Sequence, residues 1–576
     1  MALPTQTIIR GVLETAFRRE SQALLAQNVL ARLWAKDPSL WPSPQKGASL
    51  AEGLDWLDLP VLMGAKLPEL AKFAAEIEKD GIQDVVNLGL GLAPVATEAV
   101  SRAFSSPAGR RFYTLDSSDP AAVRAIAESV NLRKTLFLVA GGFGKSVETH
   151  VQFLYFLDRL KAAGVTRPGQ HFVAIAAENS YSAQIAGQYG FRRRFRDAGG
   201  LGARFSCFSY FARVRTALWG LDLPAYLGEG AAMHQACGPE APAEGNPALA
   251  LGALLAAGAL EGRNKLFLLA SPKLARFNLC VEQLVAAGTG KQGAGIVPVR
   301  DDWEPGRDSL APGGTTVFLR CRKESLADAE RAAAVARESG QPFVEVVLDS
   351  PLQVGAEFYK WEVATALAAF LLGVAPFEIP AVRESEVRAA EILERVQSGR
   401  ELPAAMARVC EAGLELYAEG AARQQISTLS LADALQSFFK MRQQDSYLAI
   451  LTFLPNSARV AVSLPALRLQ LSRTLGLPVL LSEGPRYLYS LGQLYKGGPA
   501  SGLFLMLTAA QEQDVAIPGA AYSFGQLQMA QALGDLDSLV RLERPVLRLH
   551  LTEGVEAGLG QLEKVVHRAR AQSRRS

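Results

Sequence analysis

The chain has 576 residues, enough for three or four packed units, and 49% hydrophobic and 20% charged residues are typical of an ordinary globular protein. The formal net charge of +3, without any stretch of interleaved aromatic and basic residues, argues against a nucleic-acid partner. The five cysteines are far apart and show no CxxC spacing. We therefore predict no zinc site, no disulfide framework and a reducing, cytoplasmic location. We also predict no cofactor.

The most apolar stretches are Ala248–Leu260 and Val363–Pro376, and both are shorter than the roughly 18 residues that a membrane span needs. We predict that they are buried helices and that the protein has no membrane partner. The amino-terminal residues place charges inside their apolar pattern and show no small-residue cleavage site, so no signal peptide is predicted.

The amino-terminal part of the chain is predicted to be helical over residues 1 to about 80. Apolar residues recur there every three to four positions, over Thr7–Ala35 and Leu67–Ile77, as on one face of a helix. From about Val85 the pattern changes to short apolar runs that alternate with helical stretches. The strands predicted in this first series are Asp84–Leu90, Thr135–Val139, His171–Ala176 and Arg192–Phe195.

A second series of strands and helices follows a predicted linker at Pro239–Pro242. Its predicted strands are Lys265–Ala270, Thr316–Leu319 and Phe343–Leu348. From about Arg383 the chain is predicted to be helical through Phe438 and then to alternate between strands and helices again.

Strands that alternate with helices of roughly 10–15 residues indicate parallel sheets that are covered on both faces. We therefore predict an α/β fold with two similar domains side by side. The predicted domains are a helical N-terminal segment at 1–80, parallel-sheet domains at 81–238 and 239–390, and a smaller C-terminal α/β unit at 391–576.

In the stretch Thr135–Phe156 a strand, a glycine-rich loop and a helix follow one another. Gly141, Gly142 and Gly144 permit a tight turn, and Ser146 is predicted to cap the helix. A loop of backbone N–H groups that leads into a helix N-terminus suits a phosphate ligand. The alternative is a tight turn whose glycines serve only the packing of strand against helix.

The end of this loop, Gly144-Lys145-Ser146, is similar to the end of a nucleotide-binding P-loop. The P-loop pattern requires a glycine at position 139, where this chain has Val139. Asp349, at the end of an apolar strand, is similar to a magnesium-binding aspartate, but apolar strands that end in aspartate are common. A P-loop nucleotide hydrolase is therefore a remote alternative.

Six longer stretches match the motifs of one known family. They are ARLWAKDPSLW (Ala31–Trp41), DSSDP (Asp116–Pro120), LGARFS (Leu201–Ser206), EQLVAAGTGKQGAGIVPV (Glu282–Val299), VGAEFYKWEVATALAAFLLGVAPFEIP (Val354–Pro380) and GPRYLYSLGQLYKGGP (Gly484–Pro499). With these motifs the chain resembles the glucose-6-phosphate isomerase family. The closest form is the isomerase half that many bacteria carry fused behind a transaldolase.

The resemblance implies two sugar-isomerase (SIS) domains, each a parallel sheet between helices, assembled as a homodimer. It also implies an interconversion of hexose 6-phosphates, in which a proton moves between C1 and C2 through an enediolate. That reaction needs a phosphate grip, an acid–base pair for ring opening, a carboxylate base and a positive charge near the oxyanion. The resemblance implies that Arg204 supplies this charge.

The predicted phosphate loop departs from the family pattern [ST]-K-S-G-x-T. Residues 141–146 read GGFGKS, so two hydroxyls and one lysine are absent from the matching positions, and Phe143 introduces a ring. Ser146 keeps a hydroxyl, and Lys145 offers a charge three positions later than the family's lysine. The earlier family loop G-M-G-G-S-S-L is reduced to Gly89-Leu90-Gly91-Leu92.

The proton-transfer positions also depart from the family. The glutamate of the family motif E-S-T-G-K falls on Ala287, and loss of a general base typically costs about 10²–10⁴ in rate. Ile379 and Glu386 stand where the family has a polar residue and a lysine. Both histidines of the late G-P-R-F-L-H-S-T-G-Q-L-H-K-G-G-P motif are replaced, by Tyr489 and Tyr495.

The residues that remain are the predicted site. They are Arg204 as the catalytic residue, and Gly144, Lys145, Ser146, Thr149, Thr289, Lys291 and Tyr495 as substrate-binding residues. The favoured hypothesis is a weakened or inactive isomerase homologue that binds a sugar phosphate in a regulatory or structural role. The rival hypothesis is a working isomerase with a rearranged site that uses Glu282, Glu148 or Tyr495.

Each of these residues has a structural alternative. Arg204 would be an ion-pair partner, Lys291 a solvated loop lysine, Tyr495 a filler of the histidine's space, and Glu148 a first-turn residue facing the helix dipole. None of the five histidines matches a catalytic position of the family. These histidines are His150, His171, His234, His550 and His567.

Overall fold

A computed structural model describes ten stretches of the chain. They are residues 2–42, 53–90, 92–103, 109–141, 146–197, 204–300, 313–324, 327–403, 405–426 and 430–573. The chain divides into two compact units. The first contains Met1–Thr114 and Val130–Glu378, and the second contains Leu115–Ser129 and Ile379–Ser576. The finer four-part division expected from the sequence stays a prediction.

The amino-terminal segment is largely helical, as predicted, but it begins with a strand. Its elements are β1 (Thr5–Ile9), α1 (Glu14–Ala26), α2 (Val29–Trp34), α3 (Leu59–Leu62) and α4 (Leu67–Lys79). The expectation of a helical pattern from Thr7 is wrong at this end. The β-branched residues of β1 pair antiparallel with residues 343–347 and so satisfy the backbone groups of an otherwise open sheet edge.

The first sheet has five strands in the order β3-β2-β4-β5-β6, and β2, β4, β5 and β6 are parallel. The strands predicted for this part of the chain are confirmed, with shifts of a few residues at their ends. The elements are β2 (Asp84–Leu88), α5 (Leu92–Ala103), β3 (Arg111–Leu115), α6 (Pro120–Ser129), β4 (Thr135–Gly141), α7 (Val147–Ala162), β5 (Phe172–Ala176), α8 (Tyr181–Gln188), β6 (Arg193–Arg196), α9 (Tyr210–Trp219) and α10 (Leu223–Cys237).

The second sheet has the order β1-β10-β9-β7-β8, and its strands are parallel except for β1. Strand β8 was not expected from the sequence. The elements are α11 (Pro247–Leu260), β7 (Lys265–Ala270), α12 (Ala275–Thr289), β8 (Val297–Arg300), β9 (Gly314–Cys321), α13 (Ala327–Ser339), β10 (Phe343–Leu348) and α14 (Val354–Leu371).

The two most apolar stretches lie in helix α11 and, as far as Leu371, in helix α14, and both helices are largely buried. Helix α11 packs against α14 so closely that a Cβ at Gly252 would lie 2.8 Å from the carbonyl oxygen of Ala364. Only glycine allows this approach, because any side chain would meet the backbone of the neighbouring helix. Within the described stretches, no helix combines the length and the apolar character needed to cross a bilayer.

The third sheet has the order β11-β12-β16-β15-β13-β14 and lies in the second compact unit. Its four strands β13 to β16 are parallel, and β11 and β12 are antiparallel to their neighbours. The elements are α15 (Pro380–Gln397), β11 (Val409–Glu411), β12 (Leu414–Ala418), α16 (Gly420–Gln425), α17 (Leu431–Phe439), β13 (Tyr447–Phe453), α18 (Ala458–Leu475), β14 (Val479–Glu483), α19 (Leu491–Gly497), β15 (Gly502–Ala509), α20 (Phe524–Arg541), β16 (Val546–Leu551) and α21 (Val555–Ser573).

The expectation that residues 383–438 are helical throughout is wrong, because β11 and β12 form a hairpin inside this range. The two turn residues Ala412 and Gly413 have φ values of +52° and +74°, as a tight hairpin requires. Leu414, Leu416 and Ala418 alternate toward the buried side of β12. This alternation of buried and partly exposed residues covers only five positions, which is too short to stand out beside the longer helical patterns around it.

Substitutions at the junction between β1 and α1 test whether this part of the chain packs as the structure shows. Gly11 has a φ of +53°, and a Cβ there would lie 2.1 Å from the carbonyl oxygen of Gly340. Gly81 has a similar φ of +66° but open space around it. We expect Gly81→Ala to cost about 1–2 kcal/mol from the left-handed backbone alone, and Gly11→Ala to cost about 1–3 kcal/mol more from the added clash.

Urea denaturation followed by tryptophan fluorescence measures both variants, because all six tryptophans lie in the first compact unit. Equal losses of stability in the two variants would contradict the packing of the β1–α1 junction against Gly340.

Candidate functional site

The predicted phosphate site is built around the first turn of α7. Ser146 is the N-cap of this helix, as predicted, and its Oγ accepts a hydrogen bond from the backbone N–H of Thr149 at 3.4 Å. The same oxygen donates to Glu148 Oε2 at 2.8 Å and accepts from Thr149 Oγ1 at 3.2 Å. Gly144 and Lys145 lie outside the described residues, so their roles stay predictions.

The end of β2 lies close to this helix start. Gly89 has a φ of +113°, and an added Cβ would be 2.5 Å from Thr149 Oγ1 and 3.0 Å from the carbonyl oxygen of Ala140. Glycine is therefore required where the ends of β2 and β4 meet the N-terminus of α7. The carboxyl edge of the first sheet thus places two hydroxyls, Ser146 and Thr149, at a helix N-terminus, which is an arrangement that suits an anion.

The P-loop alternative is disfavoured by the course of β4. This strand continues through Gly141, and Val139 is a fully buried residue inside it. In a P-loop the first glycine of the pattern leaves the strand and begins the loop. Position 139 therefore does not fit a P-loop, because it is a valine instead of a glycine and lies inside a strand instead of at the start of a loop.

Arg204 is a buried arginine, with 4% of its surface exposed. It lies just before the turn that starts α9, where Ser209 N–H donates to the carbonyl oxygen of Ser206 and Ser209 Oγ accepts from the N–H of Phe211 at 3.2 Å. A buried guanidinium can stabilise negative charge that develops nearby. Its predicted contact with the enediolate stays a prediction.

Helix α12 contains Ala287, the residue that the resemblance matches to the family's catalytic glutamate. Ala287 is fully buried there, and its carbonyl oxygen accepts a hydrogen bond from Lys291 Nζ. Glu282 lies five residues earlier, about 140° away around the helix at 100° per residue. Its carboxylate forms an ion pair with Arg300 Nε at 2.9 Å. Glu282 therefore cannot take the place of a side chain at position 287.

The C-terminal end of α12 brings together two other predicted residues. Thr289 Oγ1 donates to the carbonyl oxygen of Val285 at 2.7 Å and accepts from the N–H of Ile296 at 3.0 Å. Lys291 Nζ also donates to the carbonyl oxygen of Gly288 at 2.9 Å. Both side chains thus satisfy backbone groups at a helix end, which otherwise lacks partners.

The alternative of a solvated Lys291 is wrong, because only 5% of its surface is exposed. Burial lowers the pKa of Lys291 to about 7, with the nearby carboxylate of Glu378 opposing the shift. The ammonium form is disfavoured because burial removes its hydration. We therefore expect Lys291 to lose its proton at a much lower pH than an exposed lysine.

Tyr495 lies in the second compact unit and is 1% exposed. Its hydroxyl forms a hydrogen bond of 2.6 Å with Ser482 Oγ, and its ring contacts Phe504, with ring centroids 5.1 Å apart. The neighbouring Lys496 forms a buried ion pair with Asp535. The GPRYLYSLGQLYKGGP motif therefore contributes packing and a buried ion pair to this unit.

Two of the altered positions contact each other. Glu386, which the resemblance matches to a lysine, accepts a hydrogen bond from Tyr489, which the resemblance matches to a histidine. Ile379, the third altered position of this region, is the N-cap of α15. The contact thus joins a carboxylate to a phenol, where the resemblance leads us to expect a lysine and a histidine in the family.

The structure thus joins Ser146 to Thr149 and places Thr289 beside Lys291, while Tyr495 belongs to a different compact unit. Sequence reasoning missed two buried charged residues. Asp535 stands on the apolar side of α20, and Arg548 stands in the middle of a strand, so each interrupts an apolar pattern. Such interruptions are the signal that would have identified them.

Comparison with known proteins identifies the relatives. No family model matches the chain. A probable glucose-6-phosphate isomerase from Natronomonas pharaonis is 29% identical over 344 residues, which cover 52% of this chain and 76% of that protein. The glucose-6-phosphate isomerase of Prochlorococcus marinus is 26% identical over 275 residues, which cover 46% of this chain and 48% of that protein.

This chain is similar in sequence to glucose-6-phosphate isomerases. The resemblance predicted from the motifs is confirmed, although the match spans only about half of the Prochlorococcus isomerase. Solved structures agree on the fold. A hypothetical protein from Thermus thermophilus has a TM-score of 0.58 at 21% identity, over 67% of this chain and 99% of that chain.

The glucose-6-phosphate isomerase of Chlamydia trachomatis has a TM-score of 0.55 at 15% identity, over 68% of this chain and 88% of that chain. The predicted α/β fold class, with SIS-type parallel sheets flanked by helices, is confirmed by the sheet topology and these similar folds.

Proposed function

We propose that this protein binds a sugar phosphate as a glucose-6-phosphate isomerase homologue and has weak or no isomerase activity. One observation carries the proposal. Ala287, which the resemblance matches to the family's catalytic glutamate, is a buried alanine whose carbonyl oxygen accepts a hydrogen bond from Lys291. An alanine cannot accept the substrate proton, and the loss of a general base typically costs about 10²–10⁴ in rate.

The rival proposal of a working isomerase needs another base. Glu282 is paired with Arg300, and Glu148 accepts a hydrogen bond from Ser146. Tyr495 is hydrogen-bonded to Ser482 in the core of the second compact unit. Each of the three bases considered for the rival thus has a structural partner, which favours the inactive form.

A coupled assay with fructose 6-phosphate tests the proposal against a bacterial glucose-6-phosphate isomerase run in parallel. We expect turnover to be lower by a factor of about 10²–10⁴, while calorimetry with 6-phosphogluconate, an analogue of the substrate, detects binding. Turnover at an ordinary enzymatic rate that Arg204→Ala abolishes would overturn the inactive form. A flat calorimetric response would overturn the proposed ligand class.

Two serine variants separate ligand contact from helix capping. Ser146→Ala removes the N-cap of α7, and Ser180→Ala removes the matching N-cap of α8, where Ser180 Oγ accepts from the N–H of Ala183 at 3.3 Å. Each loss costs about 1 kcal/mol of stability. We expect only Ser146→Ala to weaken the binding of 6-phosphogluconate as well.

The proposal also leads to expectations about the cellular location, the metabolic context and the oligomeric state of the protein. It would act as a cytoplasmic pseudoenzyme beside glycolysis and gluconeogenesis, as a homodimer like the family that it resembles. Sedimentation of the purified protein tests the dimer.

A further inference from the structure

A cavity of about 310 Å³ lies within the second compact unit, apart from every residue discussed as part of the isomerase site. Its wall includes residues from α15, α20 and β16. The lining residues that matter here are Arg388, Glu391, Ile392, Glu419, Leu536 and Arg548. This volume is at the lower end of the about 300–1,000 Å³ found for small-molecule sites.

Arg548 is the residue that sets this cavity apart. Successive side chains of β16 point to opposite faces of the sheet, and its leucines 547, 549 and 551 belong to one apolar core. Arg548 stands on the other face, where it is 7% exposed and its guanidinium lies 3.7 Å from the ring centroid of Tyr417. An arginine in the middle of a buried strand is costly unless an anion or several acceptors compensate for its lost hydration.

Within the described stretches this compensation is partial, and it comes from Tyr417 and from the carboxylates of Glu419 and Glu415, which favour the charged form of Arg548. Arg548 Nη1 donates one long hydrogen bond, of 3.4 Å, to Thr508 Oγ1, and its Nε has no hydrogen-bond partner there. Burial lowers the pKa of Arg548, while Tyr417 and Glu419 oppose the shift. No carboxylate of the described residues forms an ion pair with it. A guanidinium has five N–H donors, so Arg548 keeps donors for a ligand, the Nε–H among them, beside its contacts with Thr508 and Tyr417.

The other charges of the cavity are not equally available. Arg388 pairs with Glu391 at 3.0 Å and approaches Asp537 at 3.6 Å, and Asp537 also pairs with Arg541 at 2.7 Å. Glu419 lines the cavity without a side-chain hydrogen bond or ion pair among the described residues. Among the described residues the cavity thus has one cation outside an ion pair, Arg548, and one such anion, Glu419, and the two are close enough for Glu419 to oppose the lowering of the pKa of Arg548.

We propose that this cavity binds a small zwitterion of the α-amino acid type, with its carboxylate on Arg548 and its ammonium on Glu419. Ile392, Leu533 and Leu536 of the wall would contact an aliphatic side chain such as that of leucine. A phosphate dianion fits less well, because three carboxylates line the same cavity and repel it. The cavity is a second site, and its occupancy does not depend on the proposed sugar-phosphate function.

Calorimetry of the full-length protein with the standard amino acids tests the proposal. We expect a branched aliphatic amino acid such as leucine to bind, and two matched compounds to bind at least tenfold more weakly. 4-Methylpentanoate lacks the ammonium group, and 3-methylbutylamine lacks the carboxylate. If no standard amino acid binds, or if inorganic phosphate binds more tightly than leucine in an Arg548-dependent manner, the proposal is wrong.

Variants locate the site. Arg548→Gln is expected to weaken leucine binding at least tenfold, and Glu419→Gln to weaken leucine but not 4-methylpentanoate. Arg541→Gln is the control, since Arg541 is paired with Asp537 and does not line the cavity. Unchanged leucine affinity in Arg548→Gln would overturn the proposal.

If Arg548→Gln does not fold, Leu536→Trp tests the same cavity by filling it, and it is expected to abolish binding. Leucine is expected to slow amide hydrogen exchange in α20 and β16 of the wild-type protein. Retained binding in Leu536→Trp, or protection confined to the first compact unit, would contradict the assigned cavity.

Discussion

Replacing Lys496 by methionine is expected to lower the free energy of unfolding of the second compact unit by about 3–5 kcal/mol. The side chains of Lys496 and Asp535 are 0% and 1% exposed and are bonded to each other. Asp535 also accepts hydrogen bonds from Tyr487 at 2.6 Å and from Ser385 at 3.1 Å. Removing the lysine leaves a buried carboxylate with no opposing charge, and this desolvated charge is the source of the large effect.

The double variant Lys496→Met with Asp535→Asn is expected to recover much of the loss, because it removes both charges, keeps one acceptor oxygen for Tyr487 and turns an amide N–H donor toward Ser385 Oγ. Arg541→Met is the control on the same helix as Asp535, because the exposed Arg541–Asp537 pair contributes only about 0.2–1 kcal/mol. Amide hydrogen exchange in peptides of the second unit measures each variant. Equal effects of Lys496→Met and Arg541→Met would contradict the ion pair's importance.

The stability of the first compact unit is expected to rise with pH above about 7 because of Lys291. The pKa of Lys291 is lowered to about 7 in the folded protein, whereas an unfolded lysine has a pKa of about 10.4. Between these values the unfolded chain binds the proton and the folded chain does not, so the free energy of unfolding increases with pH. One proton gives at most about 1.36 kcal/mol per pH unit, or about 2 kcal/mol between pH 7 and 9.

Lys291→Met is expected to remove this part of the slope, and Lys273→Met, at an exposed lysine, is expected to keep it. Urea denaturation followed by tryptophan fluorescence at several pH values gives the slopes. The comparison uses the difference between wild type and variant, since other groups titrate in the same range. Parallel pH profiles for the wild type and Lys291→Met would show that Lys291 is not held in a buried, uncharged form.

The alternating pattern of the chain was enough to predict its architecture. Strands such as Lys265–Ala270 and Phe343–Leu348 were correctly placed because they are buried on both faces and read as continuous apolar runs. Strand β1 was not predicted, since its five residues become a strand only by pairing with residues far along the chain. Short edge strands lack a periodic signal that is long enough to compete with a neighbouring helix.

The candidate site was predictable only in part. Ser146 was identified as an N-cap because capping depends on residues three positions apart. The burial of Lys291 was not predictable. A lysine in a glycine-rich loop is expected to be solvated, and only the structure shows that its Nζ donates to carbonyl oxygens at the end of α12. The pairing of Glu386 with Tyr489 joins residues that are distant in the chain. The sequence showed that Glu386 and Tyr489 both differ from the residues of the family motif, but it did not show that the two side chains contact each other.

The sequence alone determined the resemblance to glucose-6-phosphate isomerases, the α/β class and the absence of a glutamate at position 287. These depend on residue identity and local periodicity. The tertiary structure decided which charged side chains are buried and what each one contacts, as it did for Lys291, Lys496 and Arg548. The physical reason is that desolvation and ion pairing depend on distances between residues far apart in the chain, which no local pattern specifies.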